Sequence, residues 1–172
     1  TSKMNAQTTT VDMIFGNTTI TSNTIEFDVF IKNTGTDSLW LRGYSFGLNH
    51  DPGMANGGTI THTYILGSRD SIFANLPAVT PGYSATLNHI RATTTTSTAG
   101  SEVFFGFGIP VKLGRFRLTN TVNWASGFVP NFQAQVLTQS SRTQCLVTCY
   151  NAMTMSSVLI FGTGNTPSST II

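Results

Sequence analysis

Gly43-Tyr44-Ser45-Phe46-Gly47 fits G-x-S-x-G, the spacing that presents a nucleophilic serine on a sharp strand-to-helix turn. His50 and Asp51 come soon after, so all three residue types of a hydrolytic triad fall within nine positions. The surroundings argue against that chemistry. Ser45 sits in an alternating, strand-like run, and the next segment is the turn Asn49-His50-Asp51-Pro52-Gly53, where a nucleophile elbow needs a helix. In that fold the acid precedes the histidine, and both lie far downstream of the serine. His62 and His89 lie in strand-like alternation as well. No residue is assigned a catalytic role.

The other chemically capable groups are equally incomplete. Glu26 and Asp28 would share one strand face about 7 Å apart. A glycosidase pair, however, comes from different elements lining a cleft, so these two read as a solvated strand face near Lys32. Phe105-Gly106-Phe107-Gly108 lacks the third glycine and the helix of a dinucleotide fingerprint. Asn49, Asp51 and Asn56 offer hard oxygen donors that would suit calcium, but with one carboxylate and no EF-hand spacing. No other cofactor is suggested. Cys145 and Cys149, spaced C-x3-C, would lie about 13 Å apart in a regular strand. A disulfide between them therefore needs a turn at Leu146–Thr148, and the alternative is two reduced, partly buried thiols. Among the aromatics, Trp40, Tyr44, Tyr64, Tyr83, Trp124 and Phe128 could stack on sugars or pack the core. Trp40 is out of phase with Leu39 and Leu41, which points it to the opposite sheet face.

These residues must be positioned by strands, because the apolar period is two almost everywhere. Ile25, Phe27, Val29 and Ile31 alternate with polar residues; so do Tyr44, Phe46 and Leu48, then Ile60, His62 and Tyr64. Val103, Phe105, Phe107 and Ile109 form another such face, as do Phe116 with Leu118, Phe132 with Ala134 and Val136, and Val158 with Ile160. Asn33–Asp37, Asp51-Pro52-Gly53, Asn56-Gly57-Gly58, Pro81-Gly82 and Ala99-Gly100 punctuate the runs as turns. At most a short helical turn fits near Ser68–Phe73. The expectation is an all-β sandwich, jelly-roll-like, of about nine strands. It spans 11–164, with a polar N-terminal arm over 1–10 and a tail over 165–172.

Of the 172 residues, only 9% are charged while 40% are hydrophobic. Thr, Ser, Asn and Gly fill the polar positions, a surface common in secreted β proteins. Net charge is +2 with no basic stripe. Arg115 and Arg117 would share a strand face with Phe116 and Leu118 behind them, which is a solvated face and no nucleic-acid groove. No apolar stretch approaches the roughly 20 residues of a membrane helix. The start at Thr1 suggests a processed, mature product.

Three stretches, FDVFIKNTGTDSLWL (Phe27–Leu41), YSFGLNHDPGMANGGTIT (Tyr44–Thr61) and KLGRFRLTNT (Lys112–Thr121), resemble cohesin-like surface domains of Bacteroidota. The resemblance runs in order from about Val11 to Phe161. It implies a cohesin-like sandwich, export by the type IX secretion route, an extracellular or cell-surface location, and adhesion, scaffolding or surface assembly without a catalytic site. It also implies O-glycans at Asp-Ser/Thr-apolar triplets, matched by Asp37-Ser38-Leu39 and Asp70-Ser71-Ile72, so that Ser38 and Ser71 are candidate acceptors. No C-terminal sorting domain is visible in the sequence.

Two functions stay open. One is a self-assembling subunit of a surface filament, sheath or layer, partnered by its own copies through strand addition. The candidate assembly arm is the N-terminal segment with Val11, Met13, Ile14 and Phe15 after it, and Ser157–Phe161 is second. The other is a carbohydrate-binding or adhesin module that holds surface glycans.

Overall fold

A computed structural model describes residues 10–128, 131–135, 141–151 and 156–161. Eleven strands run in chain order: β1 (Val11–Ile20), β2 (Thr24–Asn33), β3 (Leu39–Asn49), β4 (Ile60–Ile65), β5 (Val79–Ser84), β6 (His89–Thr94), β7 (Val103–Phe105), β8 (Val111–Asn120), β9 (Gln133–Ala134), β10 (Leu146–Asn151) and β11 (Ser156–Phe161). They form two antiparallel sheets. The first runs β1-β2-β8-β4, and the second β11-β10-β3-β6-β5, with β7 and β9 also paired to β3. The only helical pieces among the described residues are short 3-10 turns at Pro52–Ala55 and Ser71–Phe73. None is long and apolar enough to cross a membrane.

Alternation determines which side chains meet between the sheets. Ile25, Phe27, Val29 and Ile31 of β2, with Phe116 and Leu118 of β8, point inward against Leu39, Leu41, Phe46 and Leu48 of β3, all at most 1% exposed. Phe46 is the hub: its ring centroid lies 4.9 Å from Phe116, 5.5 Å from Phe15 and 6.3 Å from Phe27, each edge-on. This is the arrangement that aromatic quadrupoles favour. β4 packs along β5 and so closes one side of the sandwich. The sheet ends at β1 and β11 are the other two edges.

Two expectations are corrected here. Val11, Met13 and Phe15 are not part of a free arm: they are 0%, 0% and 8% exposed, in a strand paired with β2 from Val11↔Asn33 to Ile20↔Ile25. Ile14 lies on the half-buried outer side of the same strand. An alternating apolar run next to a polar segment has more to gain from its own core than from a neighbour's. Phe107 and Ile109 also leave the face they were assigned. β7 ends at Phe105, and the chain turns through Gly106 and Gly108, the latter at a φ of 74° that favours glycine. That leaves Phe107 63% and Ile109 64% exposed. The arm over 1–10, apart from Thr10, and the tail over 165–172 lie outside the described residues, as does Val136. Thr10 accepts backbone hydrogen bonds from Thr34 and Gly35.

Charge is gathered on the outer face of the first sheet. Asp28 accepts from Lys112 at 2.8 Å, Arg115 at 3.0 Å and Asn17 at 2.9 Å, and Glu26 binds both Arg115 and Arg117. Asp28 is 4% exposed. Burial pushes its pKa up, but the hydrogen bonds from Lys112, Asn17 and Arg115 outweigh that and lower it. Removing one partner of a buried pair strands the others. Asp28→Ala is therefore expected to cost about 2 kcal/mol in urea unfolding, below the range for fully dry pairs because Lys112 and Arg115 keep some water. An unchanged midpoint would show the network to be ornamental.

Candidate binding surfaces

The serine motif proves to be a packing device. Ser45 lies within β3, paired to Leu146 on one side and Thr93 on the other. Its Oγ donates to the Gln144 carbonyl at 2.9 Å. Both glycines lie against close neighbours, and at Gly47 the approach is too close for any side chain. A Cβ on Gly43 would lie 3.0 Å from Thr94 Oγ1, and one on Gly47 would lie 1.9 Å from the Thr143 carbonyl oxygen. His50 Nδ1 donates to the backbone carbonyl of Asp51 at 2.9 Å, so the Asp51 carboxylate does not orient it, and its ring stacks on Tyr83. Ser45→Ala is expected to lose about 1 kcal/mol of stability, the worth of one hydrogen bond, and to leave any trace esterase activity of the preparation unchanged. Abolition of that activity would restore the hydrolase reading.

Glu26 and Asp28 are likewise held ionised. The Arg115 guanidinium hydrogen-bonded to Glu26 keeps its carboxyl below the usual range despite some burial. Neither residue is placed to deliver a proton.

The oxygen set proposed for calcium is not assembled. Asn49 and Asp51 line a polar cleft of about 70 Å³ with His50, but Asn56 is not among its lining residues. The Asn49 carboxamide oxygen accepts from His89 Nδ1 and from Arg142 Nη1, and a guanidinium is a poor neighbour for a cation. Asn56 donates instead to the Asn123 carbonyl. Among the described residues no three His, Cys, Asp or Glu side chains gather as a metal site.

The disulfide candidate is corrected. Cys145 and Cys149 are free and buried. Leu146–Asn151 is strand, without the turn that a bond requires, so the extended spacing of about 13 Å holds. Both side chains face inward, and burial pushes the thiols up to about 11 for Cys145 and about 12 for Cys149, which leaves them protonated and unreactive at neutral pH. The two glycan candidates are exposed: Ser38 just before β3, and Ser71 at the first position of a 3-10 turn capped by Asp70, whose Oδ1 accepts from Ile72 N at 3.0 Å.

Three surfaces remain. The first is the outer edge of β1, which no described strand covers. The second is aromatic. Tyr44 and Trp124 are buried, and Phe128 packs on Trp124, but Trp40 reaches the outer face as its phase requires. Register places Phe104 of β7 on one side of it and Tyr150 of β10 on the other. Ring centroids are 5.3 and 6.3 Å apart, with planes tilted by 55° and 67°, so the row is ridged and not flat. Phe104 and Tyr150 were not singled out from the sequence, because only strand register aligns them with Trp40.

The third surface is one end of the sandwich. Seven large hydrophobic residues are exposed among the described ones, and the chain path brings four of them (Leu66, Ile72, Phe107 and Ile109) to that end. The end is defined by the start of β8: Ile65 pairs with Arg115, Asp70 N donates to the Lys112 carbonyl, and Phe107 bridges to Asn33. A cleft of about 590 Å³ opens at this end, lined by Tyr64, Leu66, Arg69, Leu76 and Val79 among others. Its size suits a ligand or an inserted side chain. Arg69 builds it, donating to Tyr64 Oη and to the carbonyls of Phe73, Leu76 and Pro77.

No family model matches the chain, and no curated protein matches it. Among solved structures it is similar to a type II cohesin–X–dockerin complex from Acetivibrio cellulolyticus, at 11% identity and a TM-score of 0.45, over 88% of this chain and 91% of that one. It is also similar to the type II cohesin dyad of the adaptor ScaA scaffoldin from Acetivibrio cellulolyticus, at 10% identity and a TM-score of 0.43, over 92% of this chain and 47% of that one.

Proposed function

We propose that the chain is a non-catalytic extracellular structural protein, a self-assembling subunit of a surface filament, sheath or layer. The observation that carries this reading is the β1 edge, a ten-residue strand with a described partner on one side only. An extended segment from a neighbouring copy adds to such an edge through main-chain hydrogen bonds. Residues 1–9, just ahead of β1, are the donor we favour. The bulge between Gly16 and Thr19, with Asn17 at a φ of 50°, restricts the straight acceptor window to Val11–Gly16. Low charge weakens repulsion between packed copies, and the ion pairs on β2 and β8 neutralise most of what charge that face holds. Exposed Ser38 and Ser71 would then carry the O-glycans, which intact-mass measurement of the native protein would reveal.

Electron microscopy of the mature protein, taken from its native surface without refolding, is the test. Ordered filaments or sheets are expected, together with dispersal when residues 1–9 are deleted. Dispersed particles from the intact chain would end this reading. The aromatic row favours a second one, a carbohydrate-binding or adhesin module, for which a glycan screen should give a hit that Trp40→Ala removes.

A further inference from the structure

We infer that the apolar end of the sandwich is a two-fold contact between two copies of this chain, in which the Phe107-Gly108-Ile109 turn of each copy enters the Arg69 cleft of the other. The inference rests on the self-assembly reading and names one of its interfaces. Exposed large hydrophobics are ordinary when scattered, but four of seven at one end, which also carries a mostly apolar cleft, make a patch of the kind that partners cover. Knob and cleft belong to the same end, since β8 starts at Val111, two residues after Ile109, and the Lys112 carbonyl accepts from Asp70 N. A patch that carries both a projection and a recess is self-complementary under a two-fold rotation, the commonest symmetry of soluble dimers.

Charge points to the same occupant. A guanidinium has five N–H groups, and Arg69 uses four of them on Tyr64 Oη and three carbonyls. No carboxylate among the described residues forms an ion pair with it. Asp70 is next in sequence and exposed, with Oδ1 turned to Ile72 N. Adjacent opposite charges on one patch become matched pairs in a two-fold contact: Arg69 of each copy faces Asp70 of the other. The rigid Arg69 loop loses little freedom on binding, and the two inserted aromatic rings supply the anchors. Such a contact closes on itself as a dimer. An open polymer arises when the β1 edge adds a second, independent contact.

Sedimentation velocity of the intact chain across a concentration series tests this. Dimers are expected, and Phe107→Ser, Ala74→Trp (which fills the cleft from an exposed lining position) and Asp70→Arg should each weaken them at least about tenfold, near 1.4 kcal/mol. All three positions are exposed, and unchanged thermal unfolding would show that the variants fold. A chain that stays monomeric at about 1 mM, or dimers indifferent to all three changes, overturns the contact. Filaments that persist in variants whose dimers have weakened uphold the contact and show that the β1 edge polymerises without it, whereas filaments that persist with dimers indifferent to all three changes overturn the contact and leave self-assembly standing. Dimers that respond as expected, with no larger assembly in the intact chain, uphold the contact and end the filament reading.

Discussion

Acidification from pH 7 to pH 4 is expected to remove on the order of 6 kcal/mol of folding stability, comparable with the total for a domain of this size. The cause is the burial of all three histidines: His50, His62 and His89 are 6%, 7% and 1% exposed. Burial lowers His62 and His89 from 6.5 to about 4 and lowers His50 as well. His62 lies among the rings of Phe27, Phe46 and Phe116 and donates Nδ1–H to the Gly82 carbonyl. His89 accepts from Thr143 N at Nε2, so its one proton sits on Nδ1 and goes to Asn49 Oδ1. A second proton would set two donors against each other there, with Arg142 and Arg91 nearby.

The direction of these shifts sets the sign. The folded pKa values lie below the unfolded ones, so the unfolded chain binds more protons between pH 6.5 and pH 4. Stability is complete above that window and falls as pH drops through it. Two protons give a slope of about 2.7 kcal/mol per pH unit near pH 5, and Asp28 and Glu26, also lowered, add further loss below about pH 4. Urea unfolding at several pH values measures the slope. His62→Phe, which keeps the ring cluster and removes one titrating group, should halve it. A stability flat from pH 7 to about pH 4.5 would refute the account, whatever the absolute midpoint.

Strand positions were legible because the alternation of Ile25, Phe27, Val29 and Ile31, or of Phe116 and Leu118, is imposed by the pleat and appears in any single strand. What a strand packs against is not local. The Val11–Phe15 alternation announces a buried face equally well in a free arm docking on a neighbour and in an edge strand completing its own sheet. Only the pairing with Asn33 through Val29 separates the two. β5 hides in the sequence because Pro81-Gly82 reads as a turn, yet Pro81 pairs with Ala92 and Gly82 with Arg91 inside a strand, which helps explain why about nine strands are expected and eleven are present among the described residues.

The candidate surfaces divide in the same way. Trp40 betrayed its outward direction by being out of phase with its neighbours, a purely local signal. Phe104 and Tyr150 join it through pairings 64 and 110 residues away in sequence (104 − 40 and 150 − 40). The cleft depends on Arg69 gathering three carbonyls from Phe73 to Pro77, and no pattern of residue types encodes that loop. For Cys145 and Cys149 the deciding criterion is geometric, a turn between them, and the strand over Leu146–Asn151 settles it.

The G-x-S-x-G stretch yields the last prediction, because its second glycine matters more than its serine. Gly47→Ala is expected to cost about 3 kcal/mol, at or beyond the upper end for inserting one methyl into a packed site. The new Cβ would lie 1.9 Å from the Thr143 carbonyl oxygen and 2.5 Å from the His89 ring. The first is backbone, so the segment from Thr143 to Cys145 would have to move as a unit. That movement breaks the hydrogen bond from Thr143 N to His89 and the contact of Cys145 Sγ with the Gly47 carbonyl. With Thr143 N withdrawn, His89 Nε2 loses the donor that opposed its protonation, and the acid sensitivity of the variant should weaken alongside its stability. Ser45→Ala, two residues away, should show neither effect. Urea unfolding of both variants at pH 7 and pH 5 separates the possibilities: equal, small losses would mean that the strap over β3 is pliant and the glycine incidental, whereas a large loss confined to Gly47→Ala makes the motif an imprint of close packing between β3 and the chain that crosses it.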